Sequence, residues 1–200
     1  MIRFNRCIED FRDFQTGDLP ENAVRIETPR TIDDTMKHAA PACAVLCLIV
    51  SLTAFGKVFF AGAAIKPAAV FIGLAVGLAL LIVHELLHAA VYPKEAAVTA
   101  GKLKGKLTFV ALASYPMIRG RFLLMCLLPF VLGIVPLAVF VLSPAEAKWL
   151  NGMMFGMACI GMISPYPDVD QAVTVLRHAN RNDRIMFYRD DLYKIEENPD

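Results

Sequence analysis

The stretch Val83-His84-Glu85-Leu86-Leu87-His88-Ala89 holds two histidines four positions apart, with a glutamate directly after the first. On a helix, positions i and i+4 lie about 40° apart around the axis, so both imidazoles can reach one metal ion. Glu85 is offset by one residue. It can lean toward a water on that ion instead of the ion itself, which is where a general base belongs. With four histidines in 200 residues, the pattern arises by chance roughly 0.003 times in a chain of this composition. The competing reading is a polar cluster that pairs internally inside a helix bundle.

A hydrolytic zinc site takes three protein ligands and keeps one open position. The remaining histidines read as ordinary interfacial or surface residues: His38 at the start of an apolar block, His178 in the C-terminal tail. Ser164-Pro165-Tyr166-Pro167-Asp168-Val169-Asp170 offers better candidates. Asp168 is the preferred third ligand and Asp170 its rival. On an unbroken helix the two carboxylates point roughly 200° apart, so only one could serve. Pro165 and Pro167 interrupt that helix.

The elements that must carry these residues are apolar. Hydrophobic residues make up 56% of the chain and charged residues 20%, and the mean hydropathy is +0.51. Between residues 38 and 145 the only acids are Glu85 and Glu95. This excludes a disordered chain, a collagen-like chain and an ordinary soluble enzyme. A net charge of +1 gives no reason to expect a nucleic-acid partner. Four apolar blocks, at about residues 39–60, 67–91, 122–142 and 149–166, predict four transmembrane helices, each roughly 27–37 Å long against a hydrocarbon core of about 30 Å. Intramembrane histidines and carboxylates are costly and mark functional sites, which favours the metal over the internal polar cluster.

The expected fold is therefore an all-α membrane protein with a short β-hairpin between spans two and three. Residues 102–112 read as two strands about a turn at Gly105; a basic loop drawn to anionic headgroups is the equal alternative. A cytoplasmic segment over residues 1–37, a membrane domain over 38–170 and a cytoplasmic tail over 171–200 complete the organisation. No short apolar run follows Met1, so no cleaved signal peptide is read. Thr31-Ile32-Asp33-Asp34 reads as a capping box opening a short helix. Gly73-x-x-x-Gly77 and Gly152-x-x-x-Gly156 offer close helix packing. Pro129 and Pro136 predict kinks in span three. Trp149, Tyr92 and Tyr166 fall at span edges, as an aromatic belt would. The cysteines in the spans read as small packing residues.

The span ending in His84-Glu85-Leu86-Leu87-His88, the Pro129-Phe130 pair and the late aspartate resemble a family of membrane zincin peptidases. That family is a domain of unknown function, distantly similar to site-2-type intramembrane metalloproteases. The resemblance covers roughly residues 35–185. It implies Zn2+ held by His84, His88 and Asp168, with Glu85 as catalytic base. It also implies a membrane-embedded or membrane-adjacent polypeptide as substrate and the cell membrane of a prokaryote as location. An edge strand after the HExxH helix would hold that substrate through backbone hydrogen bonds. The chain departs from the site-2 pattern: Asp168 stands between Pro167 and Val169, not in Leu-Asp-Gly, and no Asn-x-x-Pro precedes it.

Two other classes use the same residues. Two histidines and a carboxylate with open positions can hold Fe(II) for oxygen chemistry. A non-proteolytic membrane scaffold can use them as a metal or proton relay.

All but three of the 20 Lys and Arg fall in the N-terminal segment, the link between spans two and three, and the tail. Lys57, Lys66 and Lys148 are the exceptions. The positive-inside rule then predicts cytoplasmic N- and C-termini. Cysteine labelling at engineered terminal sites should be blocked in intact cells and appear after permeabilisation; labelling of either end from outside would reverse the topology.

Overall fold

The computed structural model describes residues 2–8, 14–26, 32–104, 109–189 and 191–196. The chain divides into two units, each assembled from separate stretches of sequence. One contains residues 1–38, 85–128 and 170–200; the other contains residues 39–84 and 129–169.

The second unit is helical. Helix α2 (Ala40–Ala61) follows α1 (Ile32–His38), with Pro41 in its first turn, where a missing N–H costs nothing. Gly62 ends it in the left-handed conformation, φ 61°, its N–H returning to the Lys57 carbonyl. Helix α3 (Pro67–Ala79) runs into α4 (Leu81–Val91) through Leu80, and the backbone bonds Leu80 N–H to Val76 O and His84 N–H to Leu80 O continue across the join. Together they form one stretch of 25 residues, apolar but for the His84-Glu85-x-x-His88 face. Helix α5 (Arg119–Leu127), a 3-10 turn at Leu128–Phe130 and α6 (Val131–Leu142) form another of 24 residues. Pro129 lies in that turn, so the first expected irregularity of span three is a change of helix type.

Among the described residues, three helical stretches are long and apolar enough to cross a membrane: Ala40–Ala61, Pro67–Val91 and Arg119–Leu142. The protein is a multi-pass membrane protein. Helix α7 (Lys148–Ile163) has 16 residues, about 24 Å.

Glycine sets the helix packing. A Cβ on Gly73 would overlap the Met153 carbonyl, and one on Gly156 the Val70 carbonyl, so α3 and α7 touch backbone to backbone. Gly77 lies against the Ile160 side chain. Gly133 of α6 and Gly161 of α7 exclude side chains from each other in the same way. Such close approach is how helices associate where water gives no drive.

At the far end of α2, Lys57 is buried. Its ammonium donates to the carbonyls of Phe140 and Ser143, to Ser143 Oγ at 2.8 Å and to Asn151 Oδ1 at 2.7 Å. Asn151, fully buried, donates its amide to the carbonyls of Ala64, Pro144 and Ala145. The charge is therefore caged by oxygens that end helices and turns.

The first unit holds two sheets among the described residues. In one, β1 (Ile2–Ile8) pairs parallel with β3 (Val98–Leu103), which pairs antiparallel with β4 (Phe109–Leu112). The hairpin expected between spans two and three is present as β3 and β4; the turn placed at Gly105 and the cap at Thr31 lie outside the described residues. The second sheet has the order β2 (Ala23–Ile26), β7 (Asp191–Ile195), β6 (Arg184–Tyr188), β5 (Met117–Ile118). Terminal segments read only as polar are therefore strands. Their inward residues, Ile26, Ile185 and Leu192, pack with Ala89 and Val91 of α4, Phe122 and Met125 of α5, and Val175 of α8 (Tyr166–His178). Tyr92, expected at an aromatic belt, is buried in this core.

Gly156→Val should unfold the α3–α7 contact, because backbone cannot retreat as a side chain can. A loss of at least about 2 kcal/mol is expected from overpacking. Thermal unfolding in detergent, with exposed Gly120→Val unchanged, would check it.

Candidate metal centre

Helix α4 carries the chemistry. Its apolar positions drive it into the membrane and into the core around Ala89 and Val91, which leaves its polar face turned inward: His84 and His88 are 7% and 8% exposed. One ligand atom from each of His84, Glu85 and His88 lies within 4.8 Å of the others. This HExxH triad is a metal-binding site on a membrane-spanning helix, of the composition a zinc-protease active site uses.

Each member is oriented by a further contact. His88 Nδ1 lies 2.9 Å from the Met125 carbonyl. A carbonyl can only accept, so Nδ1 carries the proton and Nε2 presents its lone pair, the usual arrangement behind a metal-binding histidine. Glu85 Oε2 accepts the Ala111 N–H at 3.0 Å. Ala111 lies on β4, which pairs with β3 along its other edge. The Val91 carbonyl, at the last residue of α4, accepts Arg121 Nε at 2.5 Å. A cation there satisfies an orphan carbonyl and suits the negative end of the helix.

The aspartates of the late motif take separate partners. Helix α7 ends at Ile163 and α8 starts at Tyr166, so Asp168 sits in the first turn of a new helix, its N–H bonded to the Pro165 carbonyl at 3.0 Å. Asp168 Oδ2 is 3.3 Å from His84 Nε2. Asp170 faces His38, whose Nδ1 lies 2.8 Å from Oδ2 and 2.9 Å from Oδ1. His178 Nδ1 donates to the Thr174 carbonyl of its own helix at 2.8 Å. Sequence reasoning missed the roles of Met125 and Ala111, which act through their backbones and leave no residue signal. In the sequence Arg121 is one more cytoplasmic charge; from the first turn of α5 it closes the end of α4.

His84 also lines a cavity of about 10 Å3 with Gly77, Leu80, Leu81, Leu132, Met157, Gly161 and Ser164, space for roughly one water. Two imidazoles on one helix face, one of them oriented by a backbone carbonyl, with a carboxylate beside them, fit a divalent cation.

Residues 77–181 match the model of the protein family described as "Putative zincin peptidase", which covers just over half of the chain. The chain belongs to that family. No curated protein and no solved structure matches it.

Replacing His84 or His88 by Ala should abolish uptake of a divalent metal, while Glu85→Gln should retain it. Metal content of purified protein by mass spectrometry, with protein concentration by absorbance, checks both.

Proposed function

We propose that the protein is an integral-membrane zinc metalloendopeptidase that hydrolyses a peptide bond in or near the membrane. The observation that carries this reading is the HExxH triad on a membrane-length helix, its glutamate bonded to the outer side of a strand.

His84, His88 and Asp168 would hold the ion. Two ligand atoms about 2.1 Å from a tetrahedral ion are about 3.4 Å apart; the 3.3 Å between His84 Nε2 and Asp168 Oδ2 has that spacing. Asp170 is engaged with His38, which favours Asp168 over its rival. When bound, zinc lowers the pKa of water and polarises a carbonyl. Glu85 takes the proton from the attacking water and delivers it to the leaving amine. Its bond to Ala111 N–H fixes one carboxylate oxygen and aims the other.

A peptide is the substrate class that suits the strand. Residues Phe109 to Leu112 pair with Lys102 to Thr99 across the ladder, Ala111 opposite Ala100, and the Ala111 N–H bonds Glu85. An extended chain added along this edge would run past the base, held by main-chain bonds. Helix α7, apolar and packed through glycine on α3 and α6, would supply the fourth crossing, with both termini in the cytoplasm and the bond cut near the cytoplasmic face.

The test compares membrane proteomes of cells carrying wild type or Glu85→Gln. A membrane-anchored fragment present only with wild type identifies a substrate. With that substrate purified, Glu85→Gln should slow cleavage by about 10²–10⁴-fold. Asp168→Ala should lower zinc content and Asp170→Ala should not. Cleavage by Glu85→Gln at the wild-type rate would remove Glu85 as base.

A further inference from the structure

Two membrane-length stretches come to one level at residues 91 and 119. Pro67–Val91 ends there and Arg119–Leu142 begins there, and Arg121 Nε donates to the Val91 carbonyl. The boundary between hydrocarbon and headgroups therefore passes close to these residues. The end of α8 and the turn after it are tied to the same level. Ile118 of β5 lies opposite Arg184 of β6. The Arg119 N–H donates to the Asp183 carbonyl at 3.1 Å, and its guanidinium reaches the Leu176 carbonyl at 3.5 Å. Residues 176 and 183 thus touch the first residue of a span.

The surface at this level is cationic and apolar together. From residue 171 to residue 184 the chain carries Arg177, Arg181 and Arg184 against a single acid, Asp183. That acid is buried, its carboxylate accepting the Asn180 N–H at 2.7 Å. Arg177 and Arg181 are exposed, and among the described residues no ion pair engages either. Leu176, next to Arg177, is 50% exposed, and Ile118, on the same sheet face as Arg184, is 58% exposed.

We propose that residues 118–119 and 176–184 form a docking surface for anionic phospholipid headgroups of the leaflet that these span ends enter. Arginine meets phosphate with a planar fork of donors, and basic side chains at the edge of a span are drawn to anionic lipid. Ile118 and Leu176 reach past the phosphates toward the acyl chains, as apolar side chains of interfacial segments do. A soluble acidic protein would match the charge but not the depth, because a surface level with two span ends faces headgroups first. The proposal is independent of the metal chemistry and stands whether or not the site is a peptidase.

The experiment uses the full-length protein in nanodiscs of equal phosphatidylglycerol and phosphatidylcholine. Trp149→Phe removes the native indole and Leu176→Trp places one at the surface. Fluorescence quenching is compared with bromine on the acyl chains of one lipid or of the other, which gives the relative affinity of this surface for the two. Each basic residue at an anionic surface is worth about a fivefold preference. Phosphatidylglycerol should therefore be favoured at least about fivefold. Arg177→Gln combined with Arg181→Gln should lower that preference at least about fivefold, and Arg177→Lys with Arg181→Lys should keep it. Melting temperatures in phosphatidylcholine nanodiscs should agree among the variants. Should the Gln variant melt lower, the Lys variant decides: raising salt from about 0.15 M to about 1 M should erode its preference, and a preference unaffected by salt overturns the proposal. Equal quenching by the two lipids overturns it, as does a preference that survives in a folded Gln variant. Absence of quenching by either lipid puts residue 176 off the bilayer, leaves the surface to a soluble partner and overturns the proposal as well.

Discussion

Inside the hydrocarbon layer no water is available to satisfy a polar group, so each one must find its partner within the protein. The arrangement of this chain follows from that demand. Lys57 is surrounded by the carbonyls that close α6 and the following turn, and Asn151 completes the cage. At the other end of the helical stretch Pro67–Val91, His88 finds the Met125 carbonyl and the last carbonyl of α4 finds Arg121. Polar groups here mark either a lock between elements or a centre of chemistry, and the apolar background makes the two easy to tell apart. The lysine meets fixed oxygens and the Phe140 ring; His84 meets a carboxylate and a cavity.

Glycine supplies the complementary half. Helices that carry few polar groups have little but shape to associate by. The contact of α3 with α7 and that of α7 with α6 both run through glycines whose missing side chains bring main chain to main chain. Contacts this close allow little rotation, and rotation is what a ligand set tolerates least. A quarter turn of α7 would reshape the cavity beside His84, which Met157 and Gly161 line. The small residues thus act on the surroundings of His84 through angle, at a distance from any reacting atom.

Much of this was legible in the residues. The second span, read as 67–91, matches the helical stretch Pro67–Val91, because hydrophobic runs have sharp ends where Pro and charge interrupt them. The triad was legible because its spacing is local to one helix. The pairing of β3 with β4 followed from residues around Gly105. The terminal strands were not legible: Arg25 and Lys194 lie on β2 and β7, which pair from distant parts of the chain, and long-range pairing leaves no local period. The break after Ile163 was expected from Pro165 and Pro167, but the amphipathic α8 beyond it was not, since a polar tail and a half-buried helix share a composition. The division of labour between Asp168 and Asp170 depends on which histidine each meets, a fact of packing that spacing alone left open.

The bond from the Ala111 amide to Glu85 and that from His88 to the Met125 carbonyl share a property with consequences for how such a site drifts over generations. Both partners belong to the main chain. Exchanging the side chain at 125 leaves its carbonyl in place, and only proline at 111 would delete the amide. The side chains at these two positions are therefore at liberty to change with whatever surrounds them, while the orientation they impose is inherited unchanged. Two of the parts that aim this site are encoded in the path of the backbone, and a comparison of residue identities would pass over them.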